Sequence, residues 1–351
     1  MTIGRLLIRA DVGADVGAGH LMRCLALGER WIECGGDVTV VVSADIPDGL
    51  ASRAASIGAE VERLPAGAED ADWLLERAGT LGARWVVIDG YRFDERYLTA
   101  VSRAGTPVLA IDDDARHKAY PTRMILNQNL HAKSEAYAGK SDAPLLLGPR
   151  YTLIRSEFRR AGDWERHVSA VVGKVLVTLG GADPGGHTGR LIEAFSRLAD
   201  RDQMLTPSIR VVVGPANPLL EFLHGIVADR PDIELLSNVL DMGEQMRWCD
   251  LAISAAGSTV WELALFGTPM MLATASEVEE PVARSLAEIG AALHLGRLAD
   301  LDIADLSACF EKVMPDAALR KGLGDAAAGL VDGQGARRVV DQMLAISSGS
   351  A

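Results

Sequence analysis

The sequence predicts an α/β protein made of two Rossmann-like domains, and three observations support this fold class. The length of 351 residues suits two domains at roughly 150 residues each. Short apolar runs rich in Val and Ile alternate with amphipathic segments along the chain, which is typical of βαβ units and a parallel sheet. The alternation weakens over residues 132–166 and then restarts. We therefore expect domains over residues 1–150 and 151–345, connected through that stretch.

Ten apolar runs are predicted to be strands. Those of the first half span residues 6–10, 37–42, 84–90, 107–112 and 124–128. Those of the second half span residues 174–181, 208–214, 233–237, 250–257 and 269–274. The segments between them, such as HLMRCLALGERWIEC and STVWELALFG, have the spacing of amphipathic helices. The last such segment, residues 335–346, can pack back on the first domain.

Charge and cysteine content exclude several classes of protein. Lys and Arg total 35 against 48 Asp and Glu, a net charge of −13, which argues against nucleic-acid binding because that relies on basic side chains. A small phosphorylated ligand stays compatible, since backbone N–H groups at helix N-termini bind phosphate. The four cysteines form no CxxC pair, so neither a zinc site nor a disulfide framework is predicted. We expect a reducing, cytoplasmic location.

Neither a membrane segment nor a metal site is predicted. The N-terminal apolar run is too short for a signal peptide. The apolar stretch over residues 251–276 contains Glu262, and a carboxylate near the centre of a membrane span costs about 2.5–3.5 kcal/mol. Glycine turns also divide this stretch into strand, turn, helix, turn and strand. The aspartates at 112–114 fit solvated or capping residues better than metal ligands.

The first candidate site is the segment VGADVGAGHLMRC, residues 12–24. Gly17 and Gly19 let the backbone turn tightly before a predicted helix, whose N-terminus offers free N–H donors. His20 lies at this opening, and the imidazole is the side chain whose unperturbed pKa of about 6.5 suits general-base chemistry at neutral pH. The alternative is a histidine that caps the helix or faces solvent. The segment lacks the full GxGxxG pattern, which disfavours a dinucleotide site.

The second candidate site is SAAGSTVWELALFGTP, residues 254–269. Gly257, Ser258 and Thr259 form a small-residue turn between a strand and a helix, where N–H groups and hydroxyls can bind a phosphate. Glu262 lies in the first helical turn and can accept hydrogen bonds from a ribose diol. Its alternative role is a capping-box partner, but the apolar surroundings favour a ligand because an unpartnered carboxylate is costly there.

Two further groups of residues follow predicted strands, where open α/β sheets bind ligands. The turn TLGGADPGGHT, residues 178–188, places Gly180 and Gly181 before a helix and can cover a phosphate. The alternative is a turn that only needs glycine. In the first domain the polar residues after strands can bind sugar hydroxyl or amide groups; they are Tyr91, Asp94, Asp112, Asp113, Asn127 and Asn129.

These motifs together resemble a known enzyme family. GxGHxxRC, IDD, LNQN, GPRYTLIRSEF, LGGADP and SAAGSTVWELALFGTP occur in the order seen in the hydrolases of pseudaminic acid biosynthesis. Those enzymes remove UDP from UDP-2,4-diacetamido-2,4,6-trideoxy-β-L-altropyranose. The resemblance extends from about residue 3 to residue 345, and its last motif is shared with glycosyltransferases of the GT-B fold.

The resemblance implies two Rossmann-like domains that face a cleft, with the nucleotide held by the C-terminal one. His20 would activate the water that attacks C1 of the sugar with inversion, and Tyr91 would lie near the sugar. No metal or other cofactor is implied. The other substrate-binding residues expected in the first domain are Gly17, Gly19, Arg23 and Asp113.

In the second domain the resemblance implies a site for UDP. Glu262 would hold the ribose, the turn at Gly257, Ser258 and Thr259 the diphosphate, and the backbone near Asn238 and Val239 the uracil. Gly180 and Gly181 complete the expected substrate-binding set.

Two other functions stay open at this point. A GT-B glycosyltransferase would use the same donor with a sugar or lipid acceptor. A noncatalytic protein would bind the nucleotide sugar without turnover, and it leaves His20 on its glycine-rich segment unexplained. Either way, the partner is a small UDP-sugar, and the sequence fixes neither the sugar stereochemistry nor the oligomeric state.

Overall fold

Two parallel sheets organise the chain. The computed structural model describes residues 3–13, 18–103, 105–159, 164–180, 183, 185–201, 206–214, 217–237, 239 and 241–349, without the side chains of residues 198–201. The chain divides into unit 1, Met1–Arg159 with Gly333–Ala351, and unit 2, Arg160–Asp332. The first unit therefore extends nine residues past the predicted boundary at 150 and includes the last helix.

Unit 1 contains a seven-stranded parallel sheet in the order β3-β2-β1-β4-β5-β6-β7. Its strands are β1 (Arg5–Ala10), β2 (Asp37–Val42), β3 (Glu60–Arg63), β4 (Ala83–Asp89), β5 (Val108–Ile111), β6 (Met124–Asn127) and β7 (Leu145–Leu147). Its helices are α1 (Gly19–Glu33), α2 (Asp48–Ser56), α3 (Asp70–Leu81), α4 (Glu95–Ser102), α5 (Ser156–Arg159) and, from the end of the chain, α13 (Gly335–Ser347). Two 3₁₀ turns span Ser134–Tyr137 and Pro149–Tyr151.

Both faces of the unit 1 sheet are covered at β1. Successive residues of a strand point to opposite faces, and those of β1 after Arg5 are all buried. Leu6 and Ile8 of β1 belong to a core that includes α1 and α13. Leu7 belongs to the opposite core, which includes α3 and α4. Gly335 starts α13 against the Thr152 carbonyl oxygen, which would lie 2.1 Å from a Cβ atom at this position. Only glycine permits that approach.

Unit 2 contains a six-stranded parallel sheet in the order β10-β9-β8-β11-β12-β13. Its strands are β8 (Lys174–Thr178), β9 (Ser208–Val213), β10 (Ile233–Ser237), β11 (Leu251–Ala255), β12 (Met270–Thr274) and β13 (Leu293–Arg297). Its helices are α6 (His187–Arg201), α7 (Leu220–Val227), α8 (Met242–Trp248), α9 (Thr259–Leu265), α10 (Glu280–Glu288), α11 (Ile303–Val313) and α12 (Ala317–Ala328). Phe195 and Phe310 stack in its core with ring centroids 4.4 Å apart.

Each of the ten predicted strands overlaps an observed one, but the structure adds β3, β7 and β13. Strand β7 lies within residues 132–166, which were interpreted as the connection between domains. That interpretation is wrong for residues up to Arg159, because β7 pairs with β6 and extends the unit 1 sheet. Within the described ranges, no helix has both the length and the apolar character to cross a bilayer.

The order of strands defines one switch point in each sheet. In unit 1 the chain runs outward in one direction from β1 and in the other from β4, and these two strands are neighbours. In unit 2, β8 and β11 have the same relation. Loops that leave the carboxyl ends of two such strands diverge and open a crevice, which is where open α/β sheets bind ligands. We therefore expect ligand sites at these two points.

Candidate active site

The switch point of unit 1 brings His20 and Asp89 together. Strand β1 ends at Ala10 and α1 begins at Gly19, so His20 is the second residue of that helix. Asp89 is the last residue of β4, in register with Ala10. The predicted ligand residue Gly17 lies outside the described residues. The arrangement places an imidazole and a carboxylate, 69 residues apart in sequence, at the edge where a ligand is expected.

The His20 imidazole is hydrogen-bonded to a buried carboxylate. His20 Nδ1 lies 2.7 Å from Asp89 Oδ1, and Asp89 is fully buried. An ionised carboxylate only accepts hydrogen bonds. Nδ1 therefore carries the proton of the neutral ring, and the N–H group donates a hydrogen bond to Asp89. This fixes the tautomer in which Nε2 is the basic nitrogen. The pair has the geometry of a general base with its orienting group.

Arg23 lies one helical turn after His20 and is held between two carboxylates. Its Nε and Nη2 atoms donate to Asp89 at 2.7 and 2.6 Å. Its Nη1 and Nη2 atoms donate to Asp113 at 2.8 and 2.9 Å. Burial alone would raise the pKa of both carboxyls, but the Arg23 charge and its hydrogen bonds hold them below their usual range. Both aspartates are therefore ionised at neutral pH.

Asp113 has no acceptor position left for a ligand. Its Oδ1 atom also accepts from Asn129 Nδ2 at 2.9 Å, and its Oδ2 atom accepts from the Tyr91 hydroxyl at 3.3 Å. A carboxylate has about four lone-pair sites, and all are occupied here. Arg23 and Asp113 were predicted as substrate ligands. In the structure they bond to each other, so a direct role would require the displacement of existing hydrogen bonds.

Tyr91 covers one side of the His20 ring. The two rings meet edge to face, with centroids 4.8 Å apart and planes at 84°. Tyr91 is 39% exposed, so part of the ring stays open to a ligand. On its other side the Arg116 guanidinium lies 5.3 Å from the Tyr91 ring centroid and also donates to the Tyr91 carbonyl oxygen. Tyr91 is thus held beside the predicted base.

A polar pocket surrounds this group. It is lined by His20, Asp89 and Tyr91 together with Arg116, His117 and Tyr120. Burial lowers the pKa of His117, which favours a neutral imidazole at neutral pH. The polar part of the pocket lining therefore includes two histidines, two tyrosines and an arginine.

Other polar residues after β4, β5 and β6 are bonded internally. Tyr137 donates its hydroxyl to Asp112 at 2.6 Å and accepts from Asn127 Nδ2 at 2.9 Å. Burial raises the pKa of Asp112 despite this hydrogen bond. Asp94 caps α4 by accepting the Tyr97 N–H at 2.9 Å. These residues were candidates for sugar contacts; here they stabilise the loops around the pocket.

Cys24 is part of the same buried cluster. Its Sγ atom lies 3.4 Å from Asp89 Oδ2, and the thiol is buried and free. Burial, together with the nearby Asp89 charge, raises its pKa well above the usual range. The thiol is therefore protonated and acts as a weak donor to the carboxylate.

The switch point of unit 2 carries the predicted phosphate turns. Gly180 follows β8 with a φ of +90°, while Gly181 lies outside the described residues. Asp183 accepts the N–H groups of His187 and Thr188 at 3.0 and 2.8 Å. Since its carboxylate already occupies these two amides of α6, an anion at this N-terminus would have to compete with it.

The turn after β11 leads into α9, with Ser258 as the N-cap residue. Ser258 precedes α9, and its side chain makes no capping hydrogen bond in the described part of that helix. Gly257 approaches Glu279, whose Oε1 atom would lie 3.8 Å from a Cβ at this glycine. Burial raises the pKa of Glu279. Thr259 and Glu262 fall in the first turn of α9, so the structure keeps the four predicted residues of this site together.

The base-recognition segment is described only in part. Val239 follows β10 and is half-buried, while Asn238 lies outside the described residues. Among the residues that the structure describes, no group of three or more His, Cys, Asp or Glu side chains could hold a metal ion.

Four residues of these sites were not singled out as ligands or catalytic groups from sequence. They are Asp89, Arg116, His117 and Glu279. A signal existed for Asp89, since it ends a predicted strand in VVIDG, where catalytic side chains of α/β sheets occur. Nothing in the sequence pattern distinguishes the other three from surface residues.

Two curated proteins are similar in sequence to part of this chain. No protein-family model matches the chain. The spore coat polysaccharide biosynthesis protein SpsG of Bacillus subtilis is 28% identical over 194 residues, 55% of this chain and 56% of that protein. An uncharacterized protein of Methanocaldococcus jannaschii is 21% identical over 283 residues, 78% of this chain and 56% of that protein. The chain spans little more than half the length of these curated relatives.

Solved structures align over nearly the whole chain. The S. aureus MnaA-UDP co-structure has a TM-score of 0.70 at 14% identity, over 99% of this chain and 97% of that one. UDP-GlcNAc 2-epimerase from Neisseria meningitidis bound to UDP-GlcNAc has a TM-score of 0.65 at 12% identity, over 97% and 100%. The calicheamicin glycosyltransferase CalG4 has a TM-score of 0.65 at 16% identity, over 99% of each chain.

These similarities identify the fold. The protein shares with these solved structures a fold of two α/β domains, each built on a parallel sheet. The predicted fold class, α/β with two parallel-sheet domains, is confirmed.

Proposed function

We propose that the protein is a nucleotide-sugar hydrolase that releases UDP from UDP-2,4-diacetamido-2,4,6-trideoxy-β-L-altropyranose. The observation that carries this proposal is the His20–Asp89 pair at the switch point of unit 1. An oriented imidazole with a basic Nε2 atom is the group that water needs for deprotonation. The ordered motifs shared with the pseudaminic acid hydrolases support the substrate. The UDP in one aligned structure and the UDP-GlcNAc in another support a UDP-sugar ligand.

The proposed reaction is a single displacement at C1. His20 Nε2 takes a proton from water as the water oxygen bonds to C1 with inversion. The C1–O bond breaks, and its electron pair stays on the β-phosphate oxygen of UDP. Asp89 stabilises the imidazolium that forms, while Arg23 keeps Asp89 ionised. The proton then passes from His20 to solvent.

Unit 2 is proposed to bind the nucleotide. The N–H groups and hydroxyls at Gly257, Ser258 and Thr259 would stabilise the growing charge of the diphosphate, because donors aimed at a developing charge lower the barrier. Glu262 would accept hydrogen bonds from the ribose diol. The backbone at Asn238 and Val239 would bind uracil, with Gly180 and Gly181 near the phosphates.

In unit 1 the sugar is proposed to bind beside His20 and Tyr91, next to the pocket, whose cavity of about 20 Å³ has room only for water. Tyr91 would contact the sugar through its exposed ring face, while Arg23 and Asp113 hold Tyr91 and Asp89 in place. Gly17 and Gly19 would shape the backbone around the substrate. No metal or cofactor takes part in this proposal.

The second candidate function is a GT-B glycosyltransferase that uses a sugar or lipid acceptor. The observation in its favour is the fold shared with the calicheamicin glycosyltransferase. The partial similarity to a polysaccharide biosynthesis protein is compatible with either activity. A transferase would need an acceptor in the position that water occupies in the hydrolase.

One experiment separates the two functions. The protein is incubated with a panel of UDP-sugars without any acceptor, and UDP release is followed while NMR identifies the anomer first formed. A hydrolase releases UDP steadily and forms the inverted anomer. UDP binding without release would contradict the hydrolase, and release that starts only when a sugar or lipid acceptor is added would establish the transferase.

A further inference from the structure

An ionic network in unit 1 is not used by the proposed reaction. Arg9 of β1 is fully buried and contacts Asp11 at 2.6 Å (Nη1–Oδ1) and Asp70 at 2.8 Å (Nη2–Oδ2). One guanidinium and two carboxylates have a net charge of −1. Arg92 balances this charge, since its Nε atom lies 2.9 Å from Asp11 Oδ2 and its Nη2 atom contacts Asp70. Hydrogen bonds and charges from the arginines keep the pKa of both carboxyls low although burial opposes this.

The network joins the two segments that flank the predicted base. Asp11 directly follows β1 and starts the connection to α1, where His20 lies. Ser43 fixes Asp11 at the end of β2, because its N–H and hydroxyl donate to Oδ1 at 3.0 and 2.7 Å. Arg92 directly follows Tyr91 in the sequence. The Asp11–Arg92 pair therefore links the segment before His20 to the segment that carries Tyr91.

Packing holds the Tyr91 segment from the other side. The guanidinium groups of Arg9 and Arg92 lie 5.1 and 5.0 Å from the Phe93 ring centroid. Gly90 has a φ of +147°, and a Cβ there would lie 3.1 Å from the Phe93 ring. Residues 90–93 are thus fixed by a glycine, an aromatic ring and an ion pair. Tyr91 is the member of this segment that touches His20.

The two arginines of the network, Arg9 and Arg92, differ in burial. Arg9 is in the core, whereas the Arg92 side chain is 46% exposed. An ion pair of an exposed side chain adds little to stability. Replacing Arg92 therefore leaves the core side chains in place, although Asp11 and Asp70 then share one guanidinium instead of two.

We propose that Arg92 is a positioning residue, which acts through its ion pair with Asp11 to hold Tyr91 against the His20 ring without touching substrate. The effect on catalysis rests on the proposed function, whereas the effect on the two rings does not. Misplacement of a group beside the reacting atoms lowers turnover even when binding is kept.

A double-mutant cycle on UDP release tests the catalytic part. Arg92→Met should lower kcat about tenfold with KM within about threefold, and Arg92→Lys should recover part of the loss because lysine can still pair with Asp11. In a Tyr91→Ala background, Arg92→Met should have almost no further effect, since its target is gone. Effects that multiply independently would overturn the proposal. Arg96→Met, on the exposed side of α4, is the matched control and should keep wild-type turnover.

A second measurement does not depend on turnover. NMR of the full-length protein with labelled histidine gives the His20 ring resonances, which sense the Tyr91 ring 4.8 Å away. Arg92→Met should shift them in the direction of Tyr91→Ala, while Arg96→Met leaves them in place. Unchanged His20 resonances in folded Arg92→Met would overturn the inference. If wild type releases no UDP but the shift occurs, the proposed function fails and the positioning role stands.

Discussion

The two switch points of the molecule have the same strand order but carry different kinds of side chains. In unit 1 the loops after β1 and β4 bring together buried charges, with Arg23 between Asp89 and Asp113 beside His20. In unit 2 the turns over 178–188 and 254–262 contain glycines and hydroxyls and no Lys or Arg. The same strand order thus brings together charged side chains in one unit and glycines with hydroxyl groups in the other.

This difference teaches what each unit can contribute. A charged, closed hydrogen-bond network keeps one imidazole in a fixed tautomer, which is costly to rearrange. A glycine turn offers backbone donors without a fixed charge of its own. The net charge of −13 therefore says little about anion binding, because the donors in question are not charged side chains.

The largest effect is expected from His20→Asn. Asparagine keeps a polar side chain but cannot accept the proton from water, so turnover should fall by roughly 10²–10⁴-fold. UDP affinity should stay within a few-fold of wild type because unit 2 is untouched. Steady-state UDP release and calorimetric UDP binding measure the two quantities. Turnover within a few-fold of wild type would remove His20 from the role of base.

The next effect is expected from Asp89→Asn, and it falls on stability as well as on turnover. The buried Arg23 would lose one of its two carboxylates, and breaking a buried ion pair costs about 3–5 kcal/mol of unfolding free energy. The His20 ring would also lose the acceptor that fixes its tautomer. Urea unfolding and UDP release are measured side by side.

The matched control for Asp89→Asn lies at the other switch point. Ser258→Ala removes a hydroxyl that does not cap α9, so the unfolding free energy should change by less than about 0.5 kcal/mol. Equal destabilisation by the two variants would contradict the contrast between the sites.

Acid should weaken unit 1 more than unit 2. The pKa values of Asp89, Asp113, Asp11 and Asp70 are held low in the fold because arginine charges and hydrogen bonds outweigh burial. In the unfolded chain the pKa of these groups is about 3.9. Their stabilisation is therefore complete above that pH and is lost as the pH falls through the lower folded values.

Hydrogen exchange followed peptide by peptide, from pH 7 down to 2, would distinguish the two units. Among the described carboxyl groups of unit 2, lowered pKa values belong to Asp232 and Glu280, which are more exposed, and burial raises the pKa of Glu279. Protection should be lost first around β1 and β4. Earlier loss around β8 and β11 would show that the buried carboxylates of unit 1 do not decide acid stability.

The smallest effect is expected from salt. If neutral donors hold the diphosphate, UDP affinity should fall by less than about threefold between low and moderate ionic strength, because screening acts on charge pairs. Titrations of UDP at several salt concentrations give the slope. A steep fall would show that Arg or Lys side chains, such as Arg155, hold the phosphates instead.

The strands were predictable where burial made them continuous apolar runs. β3 was missed because the residues EVER lie at a sheet edge and are largely exposed. β7 was missed because a run of three leucines is too short to distinguish from a loop. β13 is half-buried and contains His294 and Gly296. Such strands depend on neighbours in the sheet, which the local pattern does not specify.

The site was predictable only in its residue types. The glycine-rich segment indicated His20, but its partner Asp89 is far away in sequence and meets it because β1 and β4 are neighbours. Arg23 and Asp113 were expected to face a ligand, yet they bond to each other. Sequence shows that a charge is present, whereas the tertiary fold decides which opposite charge neutralises it.

The buried Cys24 thiol makes the cluster around His20 and Asp89 observable without substrate. Its sulfur lies against Asp89 in the protonated form, and only the thiolate reacts with alkylating agents. Reaction must therefore wait until α1 separates from β4. The alkylation rate of the Cys24 sulfur therefore reports how often the helix that carries His20 opens.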